Sequence, residues 1–300
     1  MTSTPPRMGA WAGLGRRRVE SGSTAWYFLR DKTGVASLAV VVLIILSALF
    51  APFLTHYAAQ GNGTPAPAHE FLAPSLNHLL GTDELGRDEL ARVLFGARTS
   101  LILGFVVVTF GAVVGALVGA VAGFAGGWLD EALMRITDMV LSFPPLLLAI
   151  AVGAALGPSL QNEIVAIAVT WWPWYARLVR AEAISVRERH YVLAARSLGA
   201  STWWIIARHI LPNVLSPVRV QVTLDLGAAI LTGAALSFLG LGPQPPAADL
   251  GVMVSNGAQF LITGIWWLTI FPGLAIYVLV FAFNLLGDAF HTASDPRARS

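Results

Sequence analysis

Few residues in this sequence have the types and spacing that support covalent or metal chemistry. His69-Glu70 opens like the helix of a zinc protease, but that motif needs a second histidine four residues after the first, and Ala73 stands there. The six histidines, His56, His69, His78, His190, His209 and His291, are scattered, and no pair has convincing metal-ligand spacing. There is no cysteine, which removes disulfides, thiolate metal sites and cysteine nucleophiles. The single lysine, Lys32, precedes Thr33 but follows Arg30-Asp31 rather than a glycine-rich turn, so no nucleotide-phosphate loop is present. No Gly-x-Ser-x-Gly elbow occurs. The chain reads as a non-enzyme with no cofactor and no metal. Two features remain. One is Asp225, an acid at the edge of a long apolar run, which is either a pathway or gating residue or the structural partner of Arg219. The other is segment 186–212, where arginines alternate with apolar residues.

The elements that must carry these features are membrane helices. Of 300 residues, 56% are hydrophobic and only 12% charged, where soluble domains carry about 25% charged residues. Mean hydropathy is +0.68. A compact soluble fold has no means of hiding that much apolar surface, and a disordered chain would be poor in it. A helical span needs about 20 residues. Uncharged runs cover 33–54, 99–129, 139–162, 164–176, 226–248 and 250–287. The fourth is short, and Arg177 and Arg180 can snorkel at its end. The last resolves into an irregular lead-in and a helix near 267–286. This predicts an all-α integral membrane protein with six transmembrane helices. The first span is too long for a signal-peptide core and reads as an uncleaved anchor.

Charge sets the orientation. Sixteen of the nineteen Lys and Arg residues fall in the N-terminal tail, the turn holding Arg135, segment 177–219 and the C-terminal tail. Arg87, Arg92 and Arg98 alone lie on the other side. The positive-inside rule then predicts both termini in the cytoplasm, N-in and C-in. The net charge of +2 is no nucleic-acid footprint; the surrounding partner is membrane lipid. Residues 1–25 are expected to be mobile, 55–80 to form an outside loop, and 81–98 to form a short amphipathic helix on the outer surface. Gly111, Gly115, Gly119 and Gly123 recur every four residues and share a helix face, which lets helices approach closely. Prolines at 144–145, 173 and 272 interrupt three spans as bends or ordinary kinks.

Segment 186–212 is more than a loop. Residues 186–198 suit a helix, Gly199 sits at a left-handed C-cap, Ser201 can N-cap a second helix over 202–211, and Pro212 ends it. Leu198, Trp203, Ile206 and Ile210 are too apolar for a solvated hairpin. Physics alone leaves two readings open: a docking surface, or an interfacial hairpin with its arginines on lipid phosphates.

The run Tyr191-Val192-Leu193-Ala194-Ala195-Arg196-Ser197-Leu198-Gly199-Ala200, followed by Arg208-His209-Ile210-Leu211-Pro212-Asn213, resembles the EAA loop, the cytoplasmic signature of ABC-importer permease subunits. Further segments resemble the second permease subunit of dipeptide/oligopeptide/nickel importers: Gly81-Thr82-Asp83, Gly86-Arg87-Asp88, Gly126-Gly127-Trp128, Leu236-Ser237-Phe238-Leu239-Gly240, Phe271-Pro272-Gly273 and Asn284-Leu285-Leu286-Gly287-Asp288. The resemblance covers nearly the whole chain after residue 30. It implies a type I ABC-importer permease fold, with a cytoplasmic tail over 1–32, a first helix and outer loop over 33–98, a transmembrane domain over 99–288 and a short tail over 289–300. By the same resemblance, Tyr191, Ala194, Ala195, Gly199, Ala200, Leu211 and Pro212 form the contact with ATPase subunits. The implied partners are a homologous permease subunit, cytoplasmic ATP-binding ABC subunits and an extracytoplasmic solute-binding protein. The implied site is the bacterial inner membrane, and the implied solute is a dipeptide or oligopeptide, with nickel chelates and haem-like ligands as alternatives. Leu193 and Gly233 depart from the pattern, each standing where relatives commonly carry a glutamate. A stand-alone ion-coupled transporter would usually carry internal repeats or several intramembrane charges, and only Asp225 qualifies.

Overall fold

The structure, a computed structural model, describes residue 28 and residues 30–294. The expectations for residues 1–25 and for the C-terminal arginines lie outside the described residues. Among the described residues all regular structure is helical, apart from one isolated bridge between Thr82 and Asp88. We label the main helices α1 (Lys32–Leu49), α2 (Glu89–Ala125), α3 (Gly127–Leu141), α4 (Pro145–Leu156), α5 (Leu160–Arg187), α6 (His190–Ser197), α7 (Thr202–Ile205), α8 (Leu211–Phe238), α9 (Leu250–Ala258) and α10 (Trp267–Ser294).

Local chemistry starts these helices where they start. Asp31 accepts from the backbone amides of Thr33 and Gly34, both at 3.1 Å, ahead of α1. Asp88 accepts from Ala91 ahead of α2, Ser159 from Asn162 ahead of α5, and Asp249 from Val252 ahead of α9. Each satisfies an amide that the first helical turn leaves unpaired. Asn162 also donates to the carbonyls of Leu156 and Gly157 at 2.8 and 3.0 Å, so one side chain closes α4 and opens α5.

Four helical stretches are long and apolar enough to cross a bilayer: Lys32–Leu49, Glu89–Ala125, Thr202–Phe238 and Trp267–Ser294. A fifth counts if α3 and α4, bent by 85° about Phe143-Pro144, are taken as one broken span. The run 139–162 is therefore not a straight helix. Pro144 lacks an amide to continue α3, and its ring restricts the preceding residue. Of the six expected spans, the short run 164–176 is the one not among these apolar stretches. It is the middle of α5, 28 residues long, with Glu163, Arg177, Arg180, Glu182 and Arg187 in its polar stretches. Pro173 is accommodated within α5 without ending it.

The core is the seam between α2 and α5, the most extensive helix contact in the chain. The glycine spacing explains it. A Cβ on Gly115 would lie 2.4 Å from Cβ of Tyr175 and 2.5 Å from the carbonyl oxygen of Trp172. On Gly119 it would lie 2.4 Å from the carbonyl of Ala176, and on Gly123 2.7 Å from that of Arg180. The stripe is a packing device, as its period predicts. On the other side, α8 packs against α10, with Gly227 beneath Asn284 and Gly287 beneath Leu224.

Segment 81–98 is not a surface helix. Thr82, Asp83, Arg87, Asp88, Glu89 and Arg92 are all buried, and α2 starts at Glu89 and runs on without a break. Arg87 pairs with Asp83 at 2.6 Å. Arg92 donates to the carbonyls of Pro246 and Ala247 at 2.8 and 3.0 Å, Thr99 to that of Ala248 at 2.9 Å, and Trp267 Nε1 to that of Thr82 at 3.2 Å. Charges that look solvent-bound in sequence are paired with one another and with carbonyls about 150 positions away. They clamp the loops before α2 and before α9 onto one end of the bundle.

Candidate functional site

At the opposite end lies the hairpin. α5 runs to Arg187, and α6 follows after a two-residue turn. Gly199 has φ of +82°, and its amide donates to the carbonyl of Arg196 while the Ala200 amide donates to that of Ala195. This pair of bonds is a Schellman motif, which requires the left-handed residue that glycine supplies without strain. Ser201 then caps α7 through the amide of Trp204 at 3.3 Å. The predicted turn and cap are both present.

The second helix differs from expectation. α7 passes into a π turn, Ile206–Ile210, and on into α8. Pro212 does not end a helix; it stands in the first turn of α8, where its missing amide falls beside a π turn that already breaks the regular ladder. Hairpin and span are thus one rod. Val192, Ile205, Ile206 and Ile210 are buried under the bundle. His209 joins the two arms, its ring 5.6 Å from Tyr191 and 5.1 Å from Trp204. Tyr191, Ala194, Gly199 and Pro212 are exposed, and Ala195, Ala200 and Leu211 half-buried. The outward surface is apolar: Leu193, Leu198 (88% exposed) and Trp203 (69%) are uncovered.

Arg177 and Arg180, expected from the sequence to snorkel, are instead ion-paired, and with Arg187 they tie this end of α5 to the bundle. Arg180 makes a two-pronged pair with Asp130, at 2.5 and 2.7 Å. Arg177 pairs with Asp138 at 2.6 Å, and Arg187 donates to the carbonyl of Gly123 at 3.1 Å. The lower half of α5 is thereby fastened to α2 and α3. The available signal was the presence of acids in 127–141 and arginines in 177–187 on one predicted side.

Asp225 sits elsewhere than expected. Because α8 begins at Leu211 rather than near residue 226, Asp225 is close to the middle of a helix. Its carboxylate accepts from Trp171 Nε1 at 3.2 Å and Gln221 Nε2 at 2.8 Å. It is not the partner of Arg219, whose Nε donates to the carbonyl of Leu215. Asp225 opens onto a pocket of about 520 Å³ lined also by Pro145, Thr170, Trp174 and Arg177. Glu163, likewise unanticipated, is wholly buried and accepts from Ser237 at 2.9 Å. Burial also lifts the nearby Asp249 carboxyl above its ordinary range. Among the described residues, no cluster of His, Asp and Glu has the arrangement of a metal site.

A bundle of long apolar helices with a structured hairpin between two of them has the form of a multi-pass membrane protein. Residues 111–300 match the family model described as binding-protein-dependent transport system inner membrane component, and residues 22–74 match the N-terminal transmembrane domain of oligopeptide transport permease C. The chain belongs to this family of transport-system permeases. It is 44% identical over 272 residues to the dipeptide transport system permease protein DppC of Alkalihalophilus pseudofirmus, covering 90% of this chain and 88% of that one. It is 42% identical over 281 residues to the probable D,D-dipeptide transport system permease protein DdpC of Escherichia coli K12, covering 94% and 93%. The crystal structure of an amino acid ABC transporter with histidines matches with a TM-score of 0.50 at 18% identity, over 66% of this chain and 92% of that one. That likeness speaks to the fold, which is the type I importer permease fold.

Proposed function

We propose that this chain is one half of the membrane pathway of an ATP-driven importer of dipeptides or oligopeptides. A homologous permease subunit supplies the other half of the wall. ATP-binding subunits dock beneath the hairpin, and a solute-binding protein delivers the peptide to the clamped outer loops. Both termini face the cytoplasm. When the ATPases close, the hairpin moves with them, and the rod of α7 and α8 together with α5 carries that motion into the bundle. The two permeases then rock between outward and inward openings.

The observation that carries this reading is the hairpin itself. Its outward face is apolar, at the end of the molecule where the arginines gather, and the Schellman turn and the His209 ring contacts give it a defined shape. A headgroup anchor needs no such fixed turn. The names of the relatives support the peptide class.

The test is Gly199→Val in the reconstituted importer. No atom lies within 4 Å of an added Cβ there, so the substitution adds no clash. It places a β-branched residue at positive φ, which costs at least about 1–2 kcal/mol and moves the turn. Ala195→Asp puts a charge on the half-buried face. Both variants are expected to insert normally and to lose uptake and binding-protein-stimulated ATP hydrolysis together. Normal stimulated hydrolysis in both would leave the hairpin a lipid anchor.

A further inference from the structure

The pocket beside Asp225 has a composition that the transport reading does not by itself explain. It lies between α5 and α8, near the middle of both helices, and holds about 520 Å³. That is within the usual size range of small-ligand sites. Its walls are two indoles, Trp171 and Trp174, with one carboxylate and one guanidinium, Asp225 and Arg177. Among the described residues, no cationic side chain forms an ion pair with Asp225. The carboxylate is held by neutral donors, Trp171 Nε1 and Gln221 Nε2, which fix its orientation and leave its charge uncompensated. Charges at membrane depth are costly, and those that persist are normally paired or functional. Arg177, on the same pocket, is paired with Asp138, but both side chains are more than half exposed. Such a solvated pair is weak and exchanges readily.

We propose that Asp225, with Trp171 and Trp174, forms a subsite within the permease for the free α-ammonium group of a peptide. The carboxylate supplies the counter-charge, and the exposed Trp174 indole supplies cation–π attraction, which strengthens as the ammonium loses water. Gln221 and the Trp171 N–H aim the carboxylate. Arg177 puts the opposite charge on the same pocket, so a short zwitterion meets a complementary partner at each end. The subsite rests on the reading of this chain as a peptide importer and adds to it a chemical criterion, a free amino terminus.

The experiment uses the complete importer in lipid nanodiscs, without the binding protein, and measures equilibrium binding of radiolabelled dialanine. Asp225→Asn keeps the shape and the acceptor for Trp171 but removes the charge. It is expected to weaken binding tenfold or more, with Asp225→Glu within about threefold of the wild type. Trp174→Leu, at a side chain 55% exposed, is expected to weaken binding without disturbing the fold. N-acetyl-dialanine should compete poorly with dialanine on the wild type. Unchanged affinity in Asp225→Asn, equal competition by the acetylated peptide, or no dialanine binding to the wild type would each overturn the subsite. Dialanine uptake by the wild-type importer with its binding protein separately tests the underlying reading. Uptake without the charge dependence keeps the importer and removes the subsite, and absence of uptake in a complex with active ATPases removes the peptide class.

Discussion

Ser237 and Glu163 hold one another at the capped end of the bundle, opposite the hairpin. The Ser237 hydroxyl, 1% exposed, donates to a Glu163 carboxyl that is 0% exposed. Nothing else among the described residues bonds to the second oxygen of that carboxyl. A buried acceptor that loses its donor suffers the full desolvation penalty, about 1–3 kcal/mol, and more if charged. Ser237→Ala is therefore expected to lower the thermal midpoint of the purified protein in detergent. Adding Glu163→Met to that variant should recover part of the loss, because it removes one orphaned acceptor, while the buried Asp249 carboxyl, which the Ser237 hydroxyl also serves, stays without it. If Ser237→Ala melts with the wild type, the pair carries no stability. The pair was hard to see in sequence because Glu163 interrupts two apolar runs and reads as a boundary between spans, whereas the fold threads it into the middle of a contact.

Among elements, α2 and α5 show what sequence spacing reveals and what it hides. Gly111, Gly115, Gly119 and Gly123 recur at a helical period, and that local regularity is enough to place them on one face. Gly199 and Ser201 were legible for the same reason, since caps and turns are decided by near neighbours. Helix limits were not. Runs free of charge mark where the bilayer is, whereas the hydrogen-bond ladder continues past it, so α5 and α8 extend well beyond the apolar windows and carry Arg180 and Asp225 with them. Pro212 misled because a proline ends a regular helix but is tolerated next to a π turn, and that turn depends on packing rather than on composition. The glycine seam makes a direct prediction. Leucine at Gly115 or Gly119 would place a Cβ 2.4 Å from atoms of α5, backbone among them, which cannot yield as a flexible side chain does. Each substitution is expected to separate α2 from α5 and to cost at least the 1–3 kcal/mol typical of overpacking. The readouts are thermal stability in detergent and assembly with the partner subunits. Normal values for both variants would mean that the seam opens freely in the membrane.

At the scale of the molecule, the two ends differ in how they treat charge. At one end, Arg87 is neutralised by Asp83, and Arg92 is spent on the carbonyls of Pro246 and Ala247, all buried within the cap. Of the three arginines on that side, only Arg98 is exposed. At the other end, Arg189, Arg196 and Arg208 are exposed around the hairpin, where they can meet anionic headgroups or a partner protein. The cationic asymmetry of the folded surface is thus steeper than the bare count of arginines, and that count in short loops is what sets orientation as the chain inserts. α2 leads away from the cap, the bent pair α3–α4 leads back, α5 leads into the hairpin, α8 returns from it, and α10 starts again at the cap through Trp267. This sequence of crossings fixes the relative side of every loop once one is known. Reporters fused after Glu70 and after Pro245 are expected outside, and those after Arg187 and Ser300 inside. Because all four positions are linked by the same helices, a single inverted reporter at Glu70 would contradict the crossings, and inversion of all four would reverse the orientation while leaving the fold intact.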